Sequence, residues 1–247
     1  METDIPEKAL HRRRRPLLSQ LASTMLESVL PSSCAGCRRD APVLCTECRP
    51  EMPKMRPPFC EVCARPGAAG VCYQCLTRPP GFDGIRVPFL HEGTARTLVH
   101  RLKYANYRVY ARTMAELMAE CLEEQPVTVD TVVAVPLHGK RERERGYNQS
   151  ELLARELGQL FGLAVEARAL RKSRETEPQV ALEKAEERRR NVQGVFACGA
   201  DMSGKRVLLV DDVVTTGATM SACASALKEA GAEAVWGVAF VRQPPPR

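Results

Sequence analysis

A chain of 247 residues is long enough for one medium domain with a sizeable core plus a small appended module. Its net charge of +6 suits phosphates or nucleic acid as partners without demanding them. No run of eighteen apolar residues occurs, which excludes a membrane-spanning helix. Eleven cysteines, eight of them in CxxC pairs, point to metal in a reducing, cytoplasmic setting rather than to secreted disulfides.

The chain opens on a polar tail with the run His11-Arg12-Arg13-Arg14-Arg15, read as a solvated arm, with a nucleic-acid contact as the alternative. Leu17, Leu18, Leu21, Met25, Leu26, Val29 and Leu30 recur at helical spacing, so residues 17–30 predict an amphipathic helix. Gln20, Ser23, Thr24 and Glu27 break the apolar run that a signal peptide needs, so export is not expected. Residues 1–30 thus form a tail and a helix.

Residues 31–78 hold the cysteines. Cys34-x2-Cys37 with Cys45-x2-Cys48, and Cys60-x2-Cys63 with Cys72-x2-Cys75, form two similar sets. Each CxxC turn aims two thiolates at one point, and two such turns complete a tetrahedral zinc site. Two structural zincs are therefore expected. Sequential pairing is the simpler arrangement, with a crossed one also compatible with the spacing. Cys121, Cys198 and Cys223 lie outside the array and read as small buried residues.

Arg78-Pro79-Pro80-Gly81 marks the boundary to a second unit over residues 82–242. There Ile85 to Leu90 predicts a strand, followed by helices over about 94–103 and 107–123 and a strand from Thr131 to Val135. Lys103 is a candidate phosphate contact or a solvated helix end; His91 and His100 have no evident partner. After Pro136 comes a predicted loop with four cations in six positions: Lys140, Arg141, Arg143 and Arg145. It follows a strand and precedes a helix (Gln149 to Phe161), which puts it at the sheet's carboxyl edge, where it suits a pyrophosphate. Leu163 to Leu170 and Asn191 to Cys198 read as strands. Between them, residues 171–190 lack a strand pattern or apolar stripe and read either as a functional loop or as a mobile linker.

The most informative stretch is Arg206 to Met220, RVLLVDDVVTTGATM. Val207-Leu208-Leu209-Val210 predicts a buried strand, ended by Asp211 and Asp212. Thr215, Thr216, Gly217, Ala218 and Thr219 then turn into a helix from Met220 to Glu229. Hydroxyls, a glycine and free N–H groups at a helix start form an anion cradle, beside carboxylates that accept from sugar hydroxyls. Glu233 to Arg242 predicts a closing strand.

VLLVDDVVTTGAT resembles the phosphoribosyl-pyrophosphate (PRPP) motif of type I phosphoribosyltransferases. The resemblance implies that Asp211 and Asp212 hold the ribose hydroxyls and that Thr215 to Thr219 hold the 5-phosphate. PLHGKRERERGYNQ at 136–149, Leu102-Lys103-Tyr104, the zinc array, Thr176 and Gln179 narrow it further, with Arg188, Asn191, Val192, Gly194 and Phe196 following in order. From about residue 30 to 242 the chain is similar to the ComF family, phosphoribosyltransferase-like proteins linked to natural competence and DNA uptake. That likeness implies an α/β fold, with a mostly parallel sheet flanked by helices and a small N-terminal zinc-ribbon module. It implies PRPP with Mg²⁺ as ligand and transfer of phosphoribose to an acceptor, expected to be nitrogenous. Arg141, Arg145, Arg171 and Arg174 are the candidate catalytic cations, with Lys140 and Arg143 as further PRPP contacts. Residues 171–190 would close over PRPP. Hypoxanthine-type enzymes carry an aspartate where Thr215 stands, which argues against that acceptor class. The alternative is a non-catalytic factor that handles single-stranded DNA, or senses PRPP, beside a competence helicase.

Overall fold

The computed structural model describes residue 10 and residues 33–41, 43–104, 109–137, 139–172 and 195–244, with only the backbone of Lys140. In chain order these form α1 (Tyr73–Thr77), β1 (Gly84–Arg86), β2 (Phe89–Leu90), α2 (Gly93–Tyr104) and α3 (Val109–Glu124). There follow β3 (Thr131–Ala134), α4 (Gly139–Arg145), α5 (Gln149–Phe161), β4 (Ala164–Val165), β5 (Leu170–Lys172) and β6 (Phe196–Cys198). β7 (Arg206–Val214), α6 (Ala218–Glu229) and β8 (Ala234–Arg242) complete the order. The predicted helix over 17–30 and the basic run at 11–15 lie outside the described residues.

The central sheet runs β1–β8–β7–β3–β4 with β2 also on β8, and every pairing in it is parallel. A parallel sheet must be covered on both faces, and the strand alternation divides its side chains accordingly. Leu208, Val210, Val238 and Phe240 join one core with Leu98, Met114, Met118, Leu153 and Leu157 of α2, α3 and α5. Val207, Leu209, Val235 and Ala239 join a second core with Met220, Cys223 and Leu227 of α6 and with Leu170 and Phe196 of the antiparallel β5–β6 pair. Cys121 and Cys223 are buried as expected, while Cys198 is only half-buried.

Four sequence expectations need correction. β7 does not end at Asp211: it continues to Val214, because β8 stays paired with it as far as Val214 opposite Arg242. β3 stops opposite Val210, so Asp211 to Val214 have a strand on one side only. The basic stretch after Pro136 is not a loop but the helix α4, since Lys, Arg and Glu are good helix formers and Gly146, at φ 81°, ends it. The strand foreseen over 85–90 is interrupted between Arg86 and Phe89, and Leu163 to Leu170 holds β4 and the start of β5 rather than one strand.

The cysteine module is built into the sheet rather than hung from it. Ala35, Val43 and Met52 pack in the core under α2 and α3, whereas Cys60, Cys63 and Ala64 pack in the core under α6. Backbone bonds cross the proline-rich boundary: Ile85 N to Val62 O (2.8 Å), Met55 N to Pro88 O (2.8 Å) and Leu90 N to Pro53 O (2.8 Å). Among the described residues no helix is long and apolar enough to cross a membrane.

Candidate functional site

Where β7 loses β3 as a neighbour, the start of α5 takes its place. Asn148 fixes that start twice: its Oδ1 accepts from Ser150 N (3.0 Å), capping the helix, and its Nδ2 donates to Val135 O (3.0 Å) at the end of β3. The next two residues then meet the acidic pair. Ser150 Oγ donates to Asp211 Oδ1 at 2.9 Å, and Gln149 Nε2 donates to Asp212 Oδ1 at 3.1 Å. Lys103, at the end of α2, sets its Nζ 2.5 Å from Asp212 Oδ2. It is neither a solvated helix end nor a free phosphate contact; it neutralises a carboxylate that is only 2% exposed.

The rest of the Arg-Gly-Tyr-Asn-Gln stretch supports this arrangement. Tyr147 donates its hydroxyl to Leu102 O, holding the turn that carries Lys103. Arg145 donates to Gln149 Oε1 and lies over the Tyr104 ring at 5.4 Å, so a chain of contacts runs from Tyr104 through Arg145 and Gln149 to Asp212. Among the described side chains of α4, Arg145 is the one joined, through Gln149, to the acidic pair. Arg141 and Arg143 are exposed on α4, and Arg174 lies outside the described residues, as do Thr176 and Gln179. Arg171 stands on β5 in the wall of a cavity of about 300 Å³ that Pro136, Leu137, Glu142, Asn148 and Arg168 also line. Asn148 thus borders both the cavity and the acidic pair. Ser150 and Gln149 gave no signal by spacing, because their partners are remote in the chain.

The two carboxylates are held differently. Asp212 N also donates to Asp211 Oδ1 (2.9 Å), while Asp211 Oδ2 has no partner among the described residues. Burial, and then the adjacent Asp212 charge, push the Asp211 carboxyl up to about 7. A carboxyl whose folded value lies above its unfolded one adds stability that is full below about pH 4 and is lost as pH rises through about 7. Asp211→Asn removes that loss. Between about pH 5 and 8 the wild type should therefore lose about 1–2 kcal/mol more than the variant, or roughly 2–6 °C of melting temperature. Parallel melting curves across that range would contradict the raised carboxyl.

Beyond Val214 the chain enters Thr215-Thr216-Gly217. Gly217 is the residue before α6 and adopts φ 83°, a left-handed conformation that favours glycine. Thr216 Oγ1 accepts from Ala218 N at 3.3 Å, so α6 begins two residues earlier than the sequence predicts. Ser221 Oγ in turn accepts from Gly81 N (2.9 Å), and Phe82 and Ile85 lie behind Gly217. The threonine–glycine bend and the acidic pair therefore sit at one strand end, as β7 requires. His91, for which the sequence shows no partner, meets Gln243 Oε1 at 2.6 Å, and the ring of His100 lies 4.9 Å from that of Tyr104.

Both cysteine sets fit zinc, and the pairing is sequential. Within Cys34, Cys37, Cys45 and Cys48, and within Cys60, Cys63, Cys72 and Cys75, the Sγ atoms all lie within 4.8 Å of one another. The closest separations, 3.6 and 3.9 Å in the first set and 3.8 and 4.0 Å in the second, match the edge of about 3.8 Å for a tetrahedron with bonds of about 2.3 Å. The first cysteine of each set is prepared as a thiolate. Burial raises Cys34 and Cys60, but backbone N–H groups outweigh it, among them Gly36 and Cys45 on Cys34 and Cys63 and Cys72 on Cys60, and both are lowered to about 6. With four thiolates each, the centres leave no open coordination position and are structural.

Residues 104–246 match the phosphoribosyl transferase domain family, and residues 25–76 match the double zinc ribbon domain family. The chain is 31% identical over 217 residues to the DNA utilization protein YhgH of Salmonella typhimurium, covering 83% of this chain and 95% of that one. It is 28% identical over 222 residues to competence protein F of Haemophilus influenzae (83% and 96% covered). It is also 26% identical over 225 residues to competence protein ComFC of Streptococcus pneumoniae (90% and 98% covered).

Proposed function

We propose, for a chain that belongs to the ComF family of phosphoribosyl transferase domains joined to a double zinc ribbon, that the end of β7 binds PRPP and that its phosphoribosyl group passes to a nitrogenous acceptor. The observation that carries this reading is the unshared Oδ2 of Asp211 beside the threonine–glycine bend. A ribose 5-phosphate needs acceptors for its hydroxyls within reach of donors for its phosphate, and this strand end offers both. The names of the relatives support competence or DNA utilization as the setting.

In this reading Asp211 takes a ribose hydroxyl, and the amides and hydroxyls from Thr215 to Thr219 take the 5-phosphate. Asp212 reaches the sugar only as Lys103 gives it up, and Lys103 then turns its charge to the incoming phosphates. The bond from the anomeric carbon to the pyrophosphate oxygen breaks, with the electron pair leaving on pyrophosphate. The acceptor nitrogen bonds to that carbon and sheds a proton to solvent. Mg²⁺ bound together with PRPP would supply positive charge for the leaving group. Arg145, and the exposed Arg141 and Arg143 of α4, add cations on the same edge. Arg171 and the cavity it lines form the neighbouring wall for the acceptor.

Calorimetric titration of PRPP with Mg²⁺ tests the sugar site. Wild type should bind, and Asp211→Asn/Asp212→Asn should bind at least about tenfold more weakly, a loss of about 1.4 kcal/mol or more. Equal binding by both, or binding by neither, removes the assignment.

A further inference from the structure

Arg242, the last residue of β8, is one of the largest fully enclosed side chains in the protein, with 2% of its surface exposed. A guanidinium taken out of water is costly unless an opposite charge and hydrogen bonds compensate it. Its hydrogen bond is neutral: Nη1 donates to Cys63 O at 2.5 Å. No carboxylate is paired with it among the described residues, although the other ion pairs there use one. The charged or ionisable groups around it are Cys60, Cys63 and Cys72, three of the four cysteines of the second centre, and a second cation, Arg65, which donates to Gln74 Oε1 at 2.5 Å.

Four neutral thiols would leave Arg242 a buried cation without a counter-charge. A zinc ion with four thiolates carries two negative charges in excess, and this centre lies against the guanidinium. We propose that Arg242 is the internal counter-charge of the second zinc centre, and that it makes this zinc the tightly held one of the two. It is a positioning residue, acting on the metal through the cysteines and through Cys63 O. Groups around the ligands of a metal fix their orientation and tune how firmly the metal is kept.

Among the described residues the first centre has no fully buried cation beside it. Three of its four cysteines are half-exposed, whereas those of the second are at most 9% exposed. Of the cations near it, Arg39 and Arg49 are at the surface and committed to carboxylates, Arg39 to Glu47 at 2.8 Å and Arg49 to Glu120, while the half-buried Arg101 donates to Ser33 O at 2.9 Å and to Tyr110 Oη at 2.6 Å. Water and chelators reach the first centre, while the second is closed by the α6-side core and by Arg242.

The test follows zinc leaving the full-length protein into a chromophoric chelator. Wild type should release its metal in two phases of equal size, and Cys37→Ser should keep only the slow one. Arg242→Met should quicken the slow phase at least tenfold and leave the fast phase unchanged. Arg242→Lys, which restores the charge but not the fork, should recover most of the slowing. Phe240→Leu, a change in the core under α2 and α3, should leave the slow phase as in wild type. A slow phase unmoved in Arg242→Met would overturn the proposal, as would equal quickening of both phases. Should Arg242→Met not fold, the remaining proteins decide: a single rate for both zincs in wild type, or an Arg242→Lys whose second zinc leaves as quickly as the fast phase of wild type, overturns it too.

Discussion

Cys63→Ser, made in the full chain, should retain only the first zinc, lose its PRPP binding and melt more than about 10 °C below wild type. Structural zinc contributes about 10–16 kcal/mol in small zinc-folded units, comparable with the whole stability of a domain at about 5–15 kcal/mol. What distinguishes this expectation from general unfolding is where the damage falls. The second centre shares a core with Phe82, Ile85, Ala218 and Met220, so its loss removes the packing behind the threonine–glycine bend. Cys37→Ser should instead loosen the face under α2 and α3, where Ala35, Val43 and Met52 pack. Amide hydrogen exchange reads the difference directly. Cys63→Ser should expose amides across 81–87 and 217–227, whereas Cys37→Ser should leave them protected and expose 93–104. The same exchange map for both variants would show that the two centres do not serve separate faces.

Lys103→Met should destabilise the protein by about 3–5 kcal/mol in urea melts, because it leaves the Asp212 carboxylate buried with Gln149 as its remaining side-chain partner. The reasoning turns on burial. An exposed pair of this kind would be worth about 0–1 kcal/mol, but Asp212 is almost wholly enclosed. The double variant Lys103→Met/Asp212→Asn should recover more than half of that loss, since both charges are then gone and the amide still bonds to Gln149. A single variant within about 1 kcal/mol of wild type would mean that Asp212 finds water or another cation when Lys103 is removed.

Much of this was legible in the sequence, and for identifiable reasons. CxxC turns constrain two thiolates locally, so two zinc sites follow from spacing, whereas the sequential pairing is shown only by the fold. Val207 to Val210 are buried as an unbroken apolar run implies, and Asp211 and Asp212 do lie at the carboxyl edge. What the sequence hid depends on partners far along the chain. The role of Lys103 exists only because Tyr147 and Asn148 bring α2 and α5 to the same strand end. The extra length of β7 is decided by β8, which no pattern within Arg206 to Val214 reveals. Residues 139–145 alternate charge without an apolar face, so neither period was visible and helix propensity was the only guide. The proline-rich stretch at 78–81 read as a boundary, yet the backbone bonds that join the flanking units are made elsewhere, at Pro53, Met55 and Val62.

Those three bonds have a consequence for the life of the chain before it is complete. The flank of a parallel sheet is a row of unmet amides and carbonyls, ready to pair with any extended segment that drifts by. Here Lys54 bridges to Phe89, and the metal-organised turns shield the β1–β2 side. A chain synthesised in a zinc-starved cell would present that flank bare and stick to its own copies. Metal supply would then decide how much of the protein escapes aggregation, well before any substrate is met.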